Sequence, residues 1–179
     1  MKSLVLFSTD LRLNDNEAIC SAINGFNETS FIFLYDKDLY SSTHGSANLW
    51  WLEKSLKSLK IRLQDEGICL HIVKGEYVSK IVEIASKNEV QSVFLNENKH
   101  PNFIIKEQKL RKELERINIQ FKSFNNTNLS EPASILNKSG EPYKVYSPFY
   151  KHCKSIYSQN KVFNFPTKQI NTFNINEDS

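Results

Sequence analysis

Short apolar runs alternate with amphipathic helical periods through the first two thirds of the chain, and this alternation restricts the fold more than any other feature. The runs are Ser3–Phe7 (SLVLF), Ser30–Asp36 (SFIFLYD), Ile68–Val73 (ICLHIV), Val90–Asn96 (VQSVFLN) and Ile119–Phe124 (IQFKSF). Each has strand length and an apolar or β-branched bias, so each is predicted to be a buried strand. Between them lie helical patterns. Asn14 has the character of an N-cap with Glu17 three residues later, and Ala18, Ile19, Ala22 and Ile23 then form one face. Leu49, Leu52, Leu56, Leu59 and Leu63 form a row over 48–66, which Gly67 ends. Residues 77–88 and 103–117 complete the set. Strand–helix alternation repeated four times predicts an α/β, Rossmann-like three-layer domain, with a five-stranded parallel sheet and helices on both faces.

A chain of 179 residues that is 40% hydrophobic can bury a core of that size. The net charge of +3 does not demand a nucleic-acid partner. Cys20, Cys69 and Cys153 are dispersed and odd in number, which argues against a disulfide framework and for a reducing, cytoplasmic setting. The N-terminal apolar run is short and soon reaches Asp10, so it reads as a strand rather than a signal or membrane segment. None of the four histidines has a second ligand at metal spacing.

After Asn125 the alternation stops. Residues 139–151 (SGEPYKVYSPFYK) crowd aromatics, lysines and prolines together without a helical period. That mixture suits either single-stranded nucleic acid or packing on a neighbouring surface, and two lysines favour packing. Residues 156–179 are polar, Asn-rich and aperiodic, and read as a linker or disordered tail after a domain spanning 1–155.

Ligands of an open parallel sheet sit beyond the carboxyl ends of its strands. Those ends carry Asp10 and Arg12, then Asp36 with His44 in the loop beyond, then Asn96, Glu97, His100 and Asn102. Asp10 and Arg12 equally suit a ligand or a capped turn. The first strand–helix turn has no glycine, so a standard dinucleotide site is not expected. No glycine-flanked serine elbow appears either. The default reading of Trp50–Trp51 puts at least one ring in the core.

Three segments together resemble the DNA photolyase/cryptochrome family. FSTDLRLNDNEAI is similar to its opening strand–turn–helix, LWWLEKSLKSLKIRLQDEGICLHIVKGE to its second helix and third strand, and SGEPYKVYSPFYK to the signature closing its N-terminal α/β domain. The resemblance covers about residues 1–155 and implies a domain that holds an antenna chromophore, a reduced folate, a deazaflavin or a flavin. The polar groups clustered at the strand ends make Asp10, Arg12, Asp36, His44 and Asn102 the expected cofactor contacts, and of these His44 and Asn102 resemble a histidine and an asparagine of folate-binding members. Where folate-binding members place a glutamate after the asparagine, this chain has Phe103, which accepts no hydrogen bond from a pterin.

FAD and damaged DNA would be bound by a helical partner domain, in cis or in trans, with Phe149 and Tyr150 facing it. No membrane partner is implied. Alone, the chain is expected to hold no FAD in repair geometry and to carry no catalytic residues. The alternatives are a stand-alone nucleotide- or flavin-binding module and a remnant without function. Bound-cofactor absorbance separates them.

Overall fold

A computed structural model describes residues 1–41, 45–125, 135–157, 162–167 and 169–175. Five strands form one parallel sheet: β1 (Lys2–Phe7), β2 (Glu28–Tyr35), β3 (Leu70–Lys74), β4 (Ser92–Asn96) and β5 (Gln120–Phe124), in the order β3-β2-β1-β4-β5. Val5 on the central strand pairs with Phe31 of β2 and Phe94 of β4. All three are buried, as the unbroken apolar runs require of a sheet covered on both faces.

The helices are α1 (Glu17–Gly25), α2 (Lys37–Ser41), α3 (Ser46–Asp65), α4 (Tyr77–Lys87), α5 (Pro101–Arg116) and α6 (Tyr146–Ile156). With right-handed crossovers, the steps β1 to β2 to β3 put α1 and α3 on one face. The return to β4 and β5 puts α4 and α5 on the other, where they pack on each other. The strand order reverses between β1 and β4, the position beyond whose carboxyl ends such sheets generally bind ligands.

Helix ends follow the sequence closely, with one shift. α1 is capped by Asn16, whose Oδ1 accepts the Ile19 N–H at 3.1 Å, not by Asn14. Asp15 has φ of 51°, so the chain is not yet helical there. α3 ends where Gly67 was expected to end it. Ile68 N–H reaches Leu63 O at 2.8 Å and Gly67 N–H reaches Gln64 O at 2.9 Å, with Gly67 at φ +74°. That pair of bonds needs a left-handed residue, which glycine adopts without strain.

Two expectations fail for identifiable reasons. On α3 the leucine row turns inward, with Leu56, Leu59 and Leu63 buried. Trp50 and Trp51 lie off that row and stay 56% and 67% exposed, so neither ring joins the core. The 139–151 segment hides a helix. Pro148 is the third residue of α6, inside the first turn, where a missing N–H breaks no helical bond. No residue of α6 is buried. Its rings contact one another instead: Tyr146 stacks on Tyr150 at 5.8 Å, and Tyr143 meets Phe149 at 6.2 Å. The aromatics of this segment are thus spent on one another and on exposed surface, not buried in the core.

The polar tail also behaves differently from a linker over part of its length. Phe165, Ile170 and Phe173 pack on the core and Ile175 is buried in it. The backbone follows the α1 side of the domain, from the Asp15 turn, where Asp15 N–H donates to Phe163 O, to the start of β2, where Thr29 N–H donates to Asn171 O. Apolar residues spaced irregularly along an Asn-rich segment match no helix or strand period, so only the surface they meet reveals them.

Candidate functional site

The carboxyl ends of β1 and β4 share a floor, a buried polar network. Asp10, at the end of β1, accepts Ser8 N–H at 3.0 Å and the Asn96 amide at 2.6 Å. The same Asn96 Nδ2 donates to Asn16 Oδ1 at 2.8 Å, and Asn16 Nδ2 donates to Arg12 O at 3.0 Å. One amide thus ties the ends of β1 and β4 to the start of α1. All three side chains are buried, which makes these bonds strong and their loss costly. Asn96 Oδ1 and the Tyr77 hydroxyl are buried without a protein partner among the described residues.

Beside this floor lies an open cavity of about 500 Å³. Thr9, Asp10, Leu11 and Arg12 line one side, and Asn48, Trp51, Leu52 and Ser55 the other. The α3 residues recur at i, i+3, i+4 and i+7, so they form one helical stripe adjacent to the leucine row. Arg12 is steadied by Asp15, its Nε donating to Asp15 O at 2.9 Å. The cavity therefore offers an indole face, a fixed carboxylate acceptor, a guanidinium and an amide. That donor set suits a flat heteroaromatic molecule with polar edges, and the volume lies within the range of small-molecule sites.

Of the residues singled out in the sequence, Asp10 and Arg12 meet in this cavity. Asp36 does not line it. It is 3% exposed and its oxygens are occupied: Oδ1 accepts Asp38 N–H at 2.9 Å, and Oδ2 accepts Tyr77 N–H at 3.0 Å and Lys106 Nζ at 3.2 Å. Burial alone would raise its pKa, but the bonds from Tyr77, Lys106 and Leu39 outweigh burial and hold the carboxyl below its usual value. Lys106 also binds Glu76 at 2.5 Å; burial alone would lower its pKa, but these two carboxylates outweigh burial and hold it above its usual value.

Asn102 is exposed in the first turn of α5, its N–H given to His100 Nδ1 at 3.3 Å, and does not line the cavity. His44 lies outside the described residues. Sequence reasoning missed Asn48, Trp51 and Ser55. The stripe spacing could have found them, had the Trp pair not been assigned to the core.

On the α5 side a smaller cavity of about 220 Å³ is lined by Glu97, Lys99, Glu107 and Arg111, among others. Glu107 is held up to about 7, by burial first and by the neighbouring Glu97 and Asp10 charges, against the Asn98 N–H and Lys99, which pull it down. Among the described residues, no group of His, Cys, Asp or Glu is arranged to hold a metal ion. No helix among them is long and apolar enough to cross a membrane.

A doubly wound parallel sheet with helices on both faces defines the class: a Rossmann-like α/β domain. The family follows from similarity. A profile of the DNA photolyase family matches residues 3–168, and the chain belongs to that family. It is 29% identical over 148 residues to a deoxyribodipyrimidine photo-lyase of Agrobacterium fabrum, covering 83% of this chain and 30% of that protein. It is 26% identical over 156 residues to cryptochrome-1 of Arabidopsis thaliana, covering 86% of this chain and 23% of that protein.

The crystal structure of a class III photolyase from Agrobacterium tumefaciens superposes with a TM-score of 0.89 at 25% identity, over 99% of this chain and 36% of that one. An archaeal photolyase from Sulfolobus tokodaii, solved with two FAD molecules, shares the fold, with a TM-score of 0.77 at 21% identity, over 97% of this chain and 38% of that one. The chain thus spans about a third or less of the curated relatives' length. It forms the α/β domain of the family.

Proposed function

We propose that this chain is a light-harvesting domain of a photolyase-like DNA repair flavoprotein, and that the cavity between the β1–α1 turn and α3 holds its antenna chromophore. The observation that carries this reading is the placement of Trp51, Asp10 and Arg12 around one ligand-sized space beyond the carboxyl end of β1. The chromophore is a reduced folate, a deazaflavin or a flavin. The Sulfolobus photolyase, solved with two FAD molecules and the implication of a novel light-harvesting cofactor, keeps a flavin among the candidates. The chemistry asked of these residues is passive. They hold a ring at a fixed orientation and keep water from it, which requires an apolar slot with a few oriented polar groups.

Catalysis belongs to a helical FAD-binding domain supplied in cis or in trans, and damaged DNA is met through that domain. The greater length of the relatives supports a partner in cis. The exposed aromatic face of α6 is where it docks, with Phe149 36% and Tyr150 51% exposed. The contact set for the chromophore narrows to Asp10 and Arg12 with Asn48, Trp51 and Ser55, without Asp36 and Asn102.

Titrating the chain with a reduced folate, a deazaflavin and FMN tests the site. At least one binds, and Trp51→Ala weakens it about tenfold, the value of a stacked ring. Asn102→Ala leaves it unchanged. Binding by none of the three, or binding indifferent to Trp51→Ala, removes this reading. For the docking face, the chain self-associates with rising concentration, and Phe149→Ser with Tyr150→Ser suppresses this. The double change shifts the urea midpoint less than the loss of two core rings would, since neither ring is fully buried. Sedimentation of both proteins checks it; a wild type that stays monomeric refutes it.

A further inference from the structure

We infer that Glu107, which lies outside the chromophore cavity, is a positioning residue for the cavity's rim, acting through Asn98 and Thr9. Glu107 Oε1 accepts the Asn98 backbone N–H at 3.3 Å. The Asn98 side chain then donates from Nδ2 to Thr9 Oγ1 at 3.1 Å and accepts His100 N–H at Oδ1, at 3.0 Å. Thr9 lines the large cavity and Glu107 the small one. Asn98 is therefore the one residue in this chain of bonds that spans from α5 to the β1–α1 turn. Its backbone end is tied to a carboxyl group and its side-chain end to the rim.

The groups facing Glu107 decide how this link behaves. Asp10 faces it from the β1–α1 turn, Glu97 and Lys99 from the β4–α5 loop, and Tyr77 from α4. Arg111, one turn along α5, shares the small cavity, but its guanidinium donates to Ser123 Oγ at 3.1 Å and lies 4.6 Å from the Phe121 ring. Burial and two like charges oppose ionisation, while Asn98 N–H and Lys99 favour it, and the balance falls at about 7.

Near neutral pH Glu107 thus exchanges between two forms. The carboxylate holds the Asn98 N–H with a charge-assisted bond, the stronger kind. The neutral acid holds it less firmly and frees the Asn98–Thr9 end to shift. The rim is consequently better ordered above pH 7 than below it.

The rim arm is read without ligand. In the full chain, the backbone amides of Asn98 and Thr9 are followed by NMR from pH 5.5 to 8.5. They titrate together with a midpoint near 7. Glu107→Gln, which keeps an acceptor oxygen, abolishes the titration at both. Asn98→Ala, at a partly exposed site, leaves Glu107 titrating at its own amide and abolishes the response at Thr9. A Thr9 amide that still titrates in either variant overturns the link, as does a wild type without a midpoint between pH 6 and 8.

The ligand arm rests on the cavity being the chromophore site. Riboflavin, a neutral probe with no phosphate of its own to titrate, binds about threefold more tightly at pH 8 than at pH 6. In Glu107→Gln its affinity is flat. Riboflavin affinity that ignores pH while the amides titrate refutes a positioning role. Failure of all chromophores to bind refutes the proposed function instead, and leaves the rim to the NMR result.

Discussion

Asp36→Ala lowers the stability of this domain by about 3–5 kcal/mol, chiefly the cost of leaving buried N–H donors without their acceptor, since Lys106 keeps Glu76. The carboxylate is the hub where four elements meet. It follows β2, accepts the Asp38 and Leu39 N–H groups that open α2, accepts the Tyr77 N–H that opens α4, and pairs with Lys106 of α5. Removing it leaves three N–H donors without an acceptor, each costing about 1–3 kcal/mol where water cannot replace it. The terms overlap, which is why the total stays below their sum. Asp36→Asn tells the contributions apart. Its remaining oxygen can serve one side of the hub, but its NH2 then faces either Tyr77 N–H and Lys106 or the α2 donors. It should cost roughly half as much. For a domain of this size, 3 kcal/mol corresponds to about 6–12 °C in Tm. A urea melt placing Asp36→Ala within 1 kcal/mol of wild type would contradict the hub.

The sign of the pH response follows from the same geometry. Asp36 is held below the usual carboxylate value in the fold, so its contribution is complete above that value and is lost as pH falls through the lower, folded one. Glu76 is held at about 2; burial opposes this, and Lys106 together with the Ser79 and Val78 donors outweigh it. Its contribution disappears between about 4.5 and 2. That side chain is half exposed, so solvent screening keeps its share small. Glu107 runs the other way. Its folded value of about 7 lies above the unfolded one, so the fold gains a proton that the open chain lacks, and stability declines as pH rises from about 4.5 to 7. The domain is therefore most stable in mildly acidic solution, as far as these three carboxyls decide it.

What the sequence disclosed and what it hid divide along a physical line. Strands were legible because a sheet buried on both faces demands unbroken apolar runs, and the helices because α1, α3 and α4 each keep an inward face. Those signals are local. Asp10 and Arg12 were legible as cavity-lining candidates by topology alone, since residues just after β1 lie at the carboxyl edge of the sheet. Trp51 was not, because its assignment depends on how far α3 is rotated about its axis. The leucine row buries three residues fully, and Trp51 sits beside that row, not on it. Asn102 looked like a site residue because it follows β4, yet α5 begins at Pro101, and the first helical turn carries Asn102 away from the cavity. Asp36 looked like one because it ends β2, but a carboxylate there can equally be consumed by the N-termini of α2 and α4. Nothing local in the sequence distinguishes these outcomes, since Tyr77 and Lys106 lie 41 and 70 residues away.

Cutting the chain after Tyr157 destabilises the α/β domain by at least about 2 kcal/mol, the transfer energy of one fully buried Ile side chain. A linker or disordered tail would cost nothing to remove. The difference lies in where Phe165, Ile170, Phe173 and Ile175 end up, which is against the core. Polar contacts fix the path between them. Cys20 Sγ donates to Asn164 O at 3.2 Å, Phe173 N–H donates to Ser30 Oγ at 3.2 Å, and the Lys2 ammonium lies 5.3 Å from the Phe173 ring. Without this strap, Ile23 and Phe26 lose a cover that now lines a cavity of about 390 Å³ with Gln169, Ile170 and Asn171. The Asp15 and Thr29 N–H groups would turn to water, at little cost, so the loss is mainly apolar. Ile175→Ala in the full chain should reproduce about 2 kcal/mol of it by emptying a buried site at the far end of the strap. Urea melts of the truncated chain, Ile175→Ala and wild type decide the matter. A truncated domain with an unchanged midpoint would mean that the strap rests on the surface without holding it, and an Ile175→Ala variant that melts like wild type would locate the stabilisation nearer Phe165.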